Sequence, residues 1–258
     1  MLLALDVGNT NITIGAFRGE VLIGRWRLRT IREQTADEWG ILLRNVFALS
    51  NLNLADVRGI IISSVVPVIN GTLAEMVGKY FDRQAVFVST EMNLGLAIRY
   101  DNPKEVGADR IVNGVAAYCL YGGPAIVIDL GTAITFDVIS ADAAYLGGLI
   151  YPGIGISLSG LFAKTALLPQ VNFEQPSKLI GTTTVGSIQS GLYYGTMGMV
   201  DGLIERLAGE LGGQPQVIAT GGQAPLIRAG SRLVQHLDED LTLKGFPLSG
   251  HRFTIRRQ

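Results

Sequence analysis

The segment that opens the chain, LLALDVGNTNITIGAF, returns half a chain later as AIVIDLGTAITFDV. Asp129 falls on Asp6 and Gly131 on Gly8, 123 residues on in a chain of 258, with Thr132 opposite Asn9. Self-similarity at half the chain length predicts two copies of one domain, a tighter constraint on the fold than any single motif. The turn signal Tyr121-Gly122-Gly123-Pro124 places the boundary between domains at 1–121 and 122–258.

Each copy reads as an apolar strand ending near a carboxylate, a glycine turn and a returning strand. A third strand is expected over 21–29. Over 35–49, Trp39, Leu42, Leu43, Val46 and Phe47 keep helical spacing, with Thr35 or Asp37 available as N-cap. A buried strand over 59–66, a helix over 70–81, a short strand over 85–89 and a helix starting near Asp109 follow. Strands alternating with helices predict an α/β fold with a mixed sheet.

Composition narrows the class. The 33 glycines are about one residue in eight, against roughly 7% in ordinary proteins. With only 9 prolines and no Gly-X-Y period, they belong to tight turns or to close approaches of backbone and ligand. At 48% hydrophobic and 17% charged, the chain is not disordered. A net charge of -1 advertises neither nucleic acid nor an anionic membrane as partner. The cluster Arg252, Arg256 and Arg257 reads as a solvated tail. The single cysteine, Cys119, excludes a disulfide framework and a multi-cysteine zinc site, and its apolar surroundings predict a core position. His236 and His251 have no metal or triad spacing and read as surface residues. Residues 143–163 carry no charge and match the ~20 residues of a spanning helix. Five glycines, a proline and two serines there predict turns and close packing instead. Asp6 interrupts the apolar start too early for a signal peptide, so a soluble cytoplasmic protein is expected.

Chemistry concentrates in the paired D-x-G turns. Turn amides and the hydroxyls of Thr10 and Thr132 suit phosphate. A carboxylate beside phosphate requires a cation between them, and Mg²⁺ commonly takes one or two carboxylates. One such turn alone is an ordinary β-turn; the repetition favours function. There is no Walker A loop, since Gly78-Lys79 is followed by Tyr80. Gly153-Ile154-Gly155 lacks the third glycine of a dinucleotide loop, with Leu158 in its place. Gly221-Gly222 after an apolar strand allows flat approach of an adenine ring, or is a plain strand-to-helix turn. In YDNPKEVGADR, residues 100–110, Asp109 is either a capping charge or the group that takes a hydroxyl proton. Arg110 beside it suits a carboxylate or a transferring phosphate. Charge placement leaves both readings open.

In order along the chain stand Asp6-Val7-Gly8-Asn9-Thr10 with Gly15, Gly107-Ala108-Asp109-Arg110, Asp129-Leu130-Gly131-Thr132-Ala133 and Gly147-Gly148-x-Ile150-x-Pro152-Gly153. Lys164-Thr165-Ala166, Thr184 ahead of Gln189-Ser190-Gly191, and Thr220-Gly221-Gly222 complete the set. The set closely resembles type III pantothenate kinase, of the acetate and sugar kinase, Hsp70 and actin superfamily. The resemblance implies two ribonuclease-H-like domains around a central cleft, as in the actin-like ATPase duplication. It implies ATP-dependent phosphorylation of pantothenate, the first step of coenzyme A synthesis, by a homodimer. By that resemblance Asp6, Val7, Gly8, Asn9, Thr10, Asn11, Ile12 and Thr13 hold ATP phosphates, joined by Thr132, with Gly221 and Gly222 at the adenosine. Tyr100, Gly107, Ala108, Asp109, Arg110 and Thr184 bind pantothenate, and Asp109 is the catalytic base. Asp129 binds a monovalent cation, K⁺ or NH₄⁺, while Mg²⁺ arrives on ATP. Two alternatives are a kinase of another small acceptor and a nucleotide-binding regulator without catalysis.

Overall fold

The computed structural model describes residues 1–165 and 168–250. Ala166, His251 and the arginines at 252, 256 and 257 lie outside the described residues. In chain order the elements are β1 (Leu2–Val7), β2 (Asn11–Arg18), β3 (Val21–Arg29), α1 (Ala36–Leu49), β4 (Gly59–Ser64), α2 (Asn70–Phe81), β5 (Ala85–Phe87) and β6 (Ala97–Ile98). Next come α3 (Ala108–Tyr121), β7 (Ala125–Leu130), β8 (Ala133–Ile139), β9 (Ala144–Pro152), α4 (Ile154–Ala163) and α5 (Thr184–Leu211). The last are β10 (Gln216–Thr220), α6 (Ala224–Gly230), β11 (His236–Leu237) and α7 (Leu241–Gly250).

Two compact units result, one containing residues 1–119 and α7, the other Leu120–Asp240. The first unit's sheet runs β3-β2-β1-β4-β5, antiparallel through β1 and parallel beyond it. Within the second unit the order β9-β8-β7-β10-β11 repeats that scheme, with the same switch from antiparallel to parallel at the central strand. The architecture is therefore a duplicated ribonuclease-H-like α/β fold of the actin-like ATPase kind.

In the first unit, one face of β1 and β4 presents Leu3, Leu5, Val7, Ile60 and Ile62 to Trp39, Leu43 and Phe47 of α1 and Leu73, Met76 and Val77 of α2. Burying each such side chain is worth ~1.5–3 kcal/mol relative to exposure. Thr35 is the N-cap of α1 and completes a capping box: its hydroxyl accepts from the Glu38 N–H, and its own N–H donates to Glu38 Oε2 at 2.7 Å. Asp37, the other expected cap, instead pairs with Lys79 Nζ at 2.6 Å and accepts from the Tyr80 hydroxyl at 2.8 Å, tying α1 to α2. The opposite face of the sheet lies under α7, where a side chain at Gly15 would crowd Leu243. Gly245 admits the Val112 carbonyl of α3 more closely still, at 2.5 Å from where a Cβ would stand. This packing gathers α7 to the first unit, whereas the sequence division places everything after 121 in the second half.

The second core joins Ile126, Ile128, Leu130 and Phe136 to Tyr193, Met197, Val200 and Ile204 of α5. Three local expectations need correction. The uncharged stretch 143–163 forms a strand and a helix, β9 and α4: Ala144 and Tyr145 are both buried, burial then alternates through Leu146, Gly147 and Gly148, and Gly153 caps the helix. Cys119 is exposed, since the last turn of α3 runs past the core on which its earlier turns pack. His236 is half-buried in β11, its Nε2 3.0 Å from Gln216 Oε1 and its ring 4.8 Å from that of Tyr121. No helix among the described residues is long and apolar enough to cross a membrane.

Candidate functional site

The first turn is held from below. The Gly8 N–H donates to the Asn11 carbonyl at 3.0 Å, and the Thr30 hydroxyl donates to the Gly8 carbonyl at 2.7 Å. The Thr30 N–H bonds the Thr10 carbonyl at 3.0 Å. Asn9 and Thr10 are exposed at the tip. Val7 and Ile12 face the core, each 1% exposed, so these two offer a ligand their main chain only. Asp6 pairs in register with Thr13 on β2 and Ser63 on β4. Paired residues share a sheet face, so the row Thr13–Asp6–Ser63 lines the face opposite the core.

The second unit builds the same row, Thr135–Asp129–Thr220. Its turn is tighter, with the Gly131 N–H donating to the Ala133 carbonyl at 3.1 Å. Backbone contact replaces the side-chain brace seen in the first turn. A Cβ at Gly153 would overlap the Thr132 carbonyl group. Gly221 has φ of +91°, and a Cβ there would stand 2.7 Å from Asp129 Oδ1 and 2.8 Å from the Leu130 backbone. Asp129 and Gly221, assigned to cation and adenosine respectively, are thus in direct contact. Thr132 and Gly222 are exposed.

Asp109 occupies the first turn of α3 and folds back on it, its Oδ1 accepting from the Arg110 N–H at 2.8 Å. A Cβ at Gly107 would come within 2.6 Å of that same oxygen, so the glycine makes room for the carboxylate. Burial pushes the Asp109 carboxyl above the usual carboxylate range, against the lowering by the Arg110 N–H and guanidinium. Arg110 is buried, 8% exposed. The start of α3 also walls a cavity of about 430 Å³, a size ordinary for small-molecule sites, lined among others by Val65, Val88, Glu91, Lys104, Gly107 and Ile111. Tyr100 is exposed in the loop ahead of it. Thr184 lies in the second unit, exposed in the first turn of α5 beside its N-cap Thr183, whose hydroxyl accepts from the Gly186 N–H at 3.0 Å.

Sequence reasoning did not reach Thr30, which braces the first turn, the wall residues Glu91 and Lys104, or Ser63. Ser63 had a readable signal: polar residues close the apolar strand GIIISS just as Thr220 closes QVIAT. Thr30 had none, because its role depends on the pairing of β3.

The family model for type III pantothenate kinase matches residues 2–206. A type III pantothenate kinase of Solibacter usitatus is 59% identical, across 98% of this chain and 97% of the relative. One of Koribacter versatilis is 51% identical, across 98% and 96%. Among solved structures, a Sinorhizobium meliloti protein described as a 2-dehydro-3-deoxygalactonokinase superposes with a TM-score of 0.60 at 14% identity, covering 100% of this chain and 98% of that one. At that identity the likeness concerns the fold alone.

Proposed function

The chain belongs to the type III pantothenate kinase family, and from that premise we propose how its residues divide the work. The reaction is ATP-dependent phosphorylation of pantothenate to 4'-phosphopantothenate, the first step of coenzyme A biosynthesis. Asp109 is the base, and its placement carries the reading: a half-buried carboxylate with a raised proton affinity, next to Gly107 and Ala108, which wall a cavity of substrate size. The pantothenate hydroxyl oxygen attacks the γ-phosphorus, the bond to ADP breaks, and the hydroxyl proton passes to Asp109 Oδ. Phosphoryl transfer has a loose transition state, so positioning and charge neutralisation carry most of the catalysis. A carboxylate pushed above its ordinary range is the better proton acceptor near neutral pH. Arg110, Gly107, Ala108, Tyr100 and Thr184 bind the acceptor, with the cavity wall as its enclosure.

The amides and hydroxyls from Asp6 to Thr13, with Thr132, hold the ATP phosphates, and Gly221-Gly222 admits the adenosine. The donor set fits magnesium carried on ATP. Each row offers one hard carboxylate flanked by hydroxyls. When bound, Mg²⁺ neutralises charge on the phosphates. Asp129, with the main-chain oxygens of its tight turn, suits K⁺ or NH₄⁺.

A homodimer is part of the proposal. Only Ile154 of the apolar helix α4 is buried, while Ile150, Tyr151, Ile156, Val185 and Tyr194 stand exposed in the same unit. Gly191, Gly195, Gly198 and Gly202 recur along α5 with nothing within 4 Å of their missing side chains, a stripe suited to close approach. We place the enzyme in the cytoplasm, with its ATP supply.

The test is Asp109→Asn in a coupled assay with ATP, Mg²⁺, K⁺ and pantothenate. The expected outcome is a kcat lower by about 10²–10⁴-fold with ATP binding intact. Unchanged turnover would remove Asp109 from the mechanism.

A further inference from the structure

Two adjacent serines end β4 and are used differently. Ser64 is fully engaged: its hydroxyl donates to Asn70 Oδ1 at 2.6 Å and accepts from the Val66 N–H at 3.2 Å. Ser63, on the other face of the strand, is 0% exposed, and its hydroxyl has no hydrogen-bond partner among the described residues. Leaving a buried hydroxyl unsatisfied is unfavourable, so an orphan at this place needs an occupant or a use. Its place is informative. Ser63 stands in register with Asp6, with Ile60 and Ile62 turned to the core on the opposite face. Neighbouring strands lie about 4.8 Å apart, within reach of a serine hydroxyl for a carboxylate on the next strand. The second unit repeats the pairing with Thr220, 2% exposed, in register with Asp129. Both copies of the fold therefore place a buried hydroxyl beside the carboxylate one residue before the end of the central strand, on the side away from the hairpin.

We infer that Ser63 is a positioning residue for the first phosphate turn: its hydroxyl donates to the Asp6 carboxylate when magnesium–ATP binds and fixes that carboxylate in one orientation. The inference rests on the assignment of Asp6 to the ATP phosphates made above. A carboxylate accepting from Ser63 with one oxygen presents the other to the hydrated cation. Without the hydroxyl it must be ordered at the moment of binding, so the loss falls on magnesium-bound nucleotide alone.

The experiment is calorimetric titration of ATP into wild type, Ser63→Ala, Ser63→Thr and Asp6→Asn, each with Mg²⁺ and with EDTA, alongside unliganded melting curves. Ser63→Ala is expected to bind ATP with Mg²⁺ about ten- to a hundredfold more weakly, the effect of one hydrogen bond to a charged group. Its ATP affinity in EDTA stays at the wild-type level. Its unliganded Tm is unchanged or higher, because an unsatisfied polar group has been removed. Ser63→Thr keeps the hydroxyl, as position 220 does, and recovers most of the loss. Wild-type affinity in Ser63→Ala, or an equal loss with and without Mg²⁺, would overturn the inference. If Asp6→Asn also binds as wild type does, the assignment of Asp6 has failed; if only Asp6→Asn is impaired, the role of Ser63 alone has failed.

Discussion

Gly221→Ala is expected to be the most damaging single methyl in the second unit. Two independent costs apply. At φ of +91° an alanine is strained, by about 1–2 kcal/mol for the left-handed side of the map. The added carbon would also stand 2.8 Å from both the amide nitrogen and the carbonyl carbon of Leu130. That is main chain of a central strand, which cannot rotate aside, and forcing extra volume into such a place costs ~1–3 kcal/mol. Together about 2–5 kcal/mol is at stake, which lowers the melting temperature of a chain this size by roughly 5–15 °C. The third contact, 2.7 Å to Asp129 Oδ1, directs part of the relaxation onto the proposed cation ligand, so nucleotide affinity falls as well. Gly209→Ala is the control: it lies in α5 of the same unit with nothing within 4 Å of its added carbon. There alanine should be neutral or stabilising by up to ~1 kcal/mol. The assay is calorimetric melting of both variants with and without ATP. Melting of Gly221→Ala within about 1 °C of wild type would show that the β7–β10 turn is not packed as described.

Two further outcomes are expected. Asp109→Asn should be more stable than wild type at neutral pH. Burial raises the folded-state proton affinity of Asp109, so wild type loses stability as pH rises from the ordinary carboxylate range through the raised folded value, and the variant does not. Urea unfolding from about pH 4 to 8 should show the difference opening with pH and then levelling; a difference independent of pH would refute the desolvated placement. Ile156→Asp, a charge on the exposed apolar helix α4, should convert a dimer to monomer in sedimentation velocity, and an unchanged dimer would move the interface elsewhere.

How much could be read in advance depended on whether a feature was local. The helix over 70–81 and the strand over 21–29 match α2 and β3 end to end, because helical or alternating spacing and turn residues bound both. The paired carboxylate turns were visible because duplication wrote them twice. Misreadings came where tertiary context decided. Cys119 has apolar neighbours in sequence yet lies on a helix turn that outruns its core. Within the stretch 143–163, Gly153 must pass the Thr132 carbonyl, a contact between segments that no local signal records. The cavity beside Asp109 likewise draws Val65, Val88 and Lys104 from three separate segments, and only the pairing of β4 and β5 brings the first two together.

The duplication also bears on the different work proposed for the two carboxylates. Both stand one residue before the end of a central strand, and both are flanked by a hydroxyl on each side. Their supports differ. Around Asp6 the turn is braced by a side chain, the Thr30 hydroxyl on the Gly8 carbonyl. A Cβ at Gly8 would meet only the Asn11 carbonyl, at 3.1 Å. Around Asp129 the supports are main chain pressed on main chain, at Gly153 and at Gly221. A side-chain hydroxyl can re-aim by rotating, which suits the phosphate-holding role proposed for the first turn. Backbone packed without room for a methyl cannot re-aim, which suits the cation-holding role proposed for Asp129. The close approaches at Gly153 and Gly221 thus gather around the carboxylate proposed to hold the ion, where an added methyl has no room.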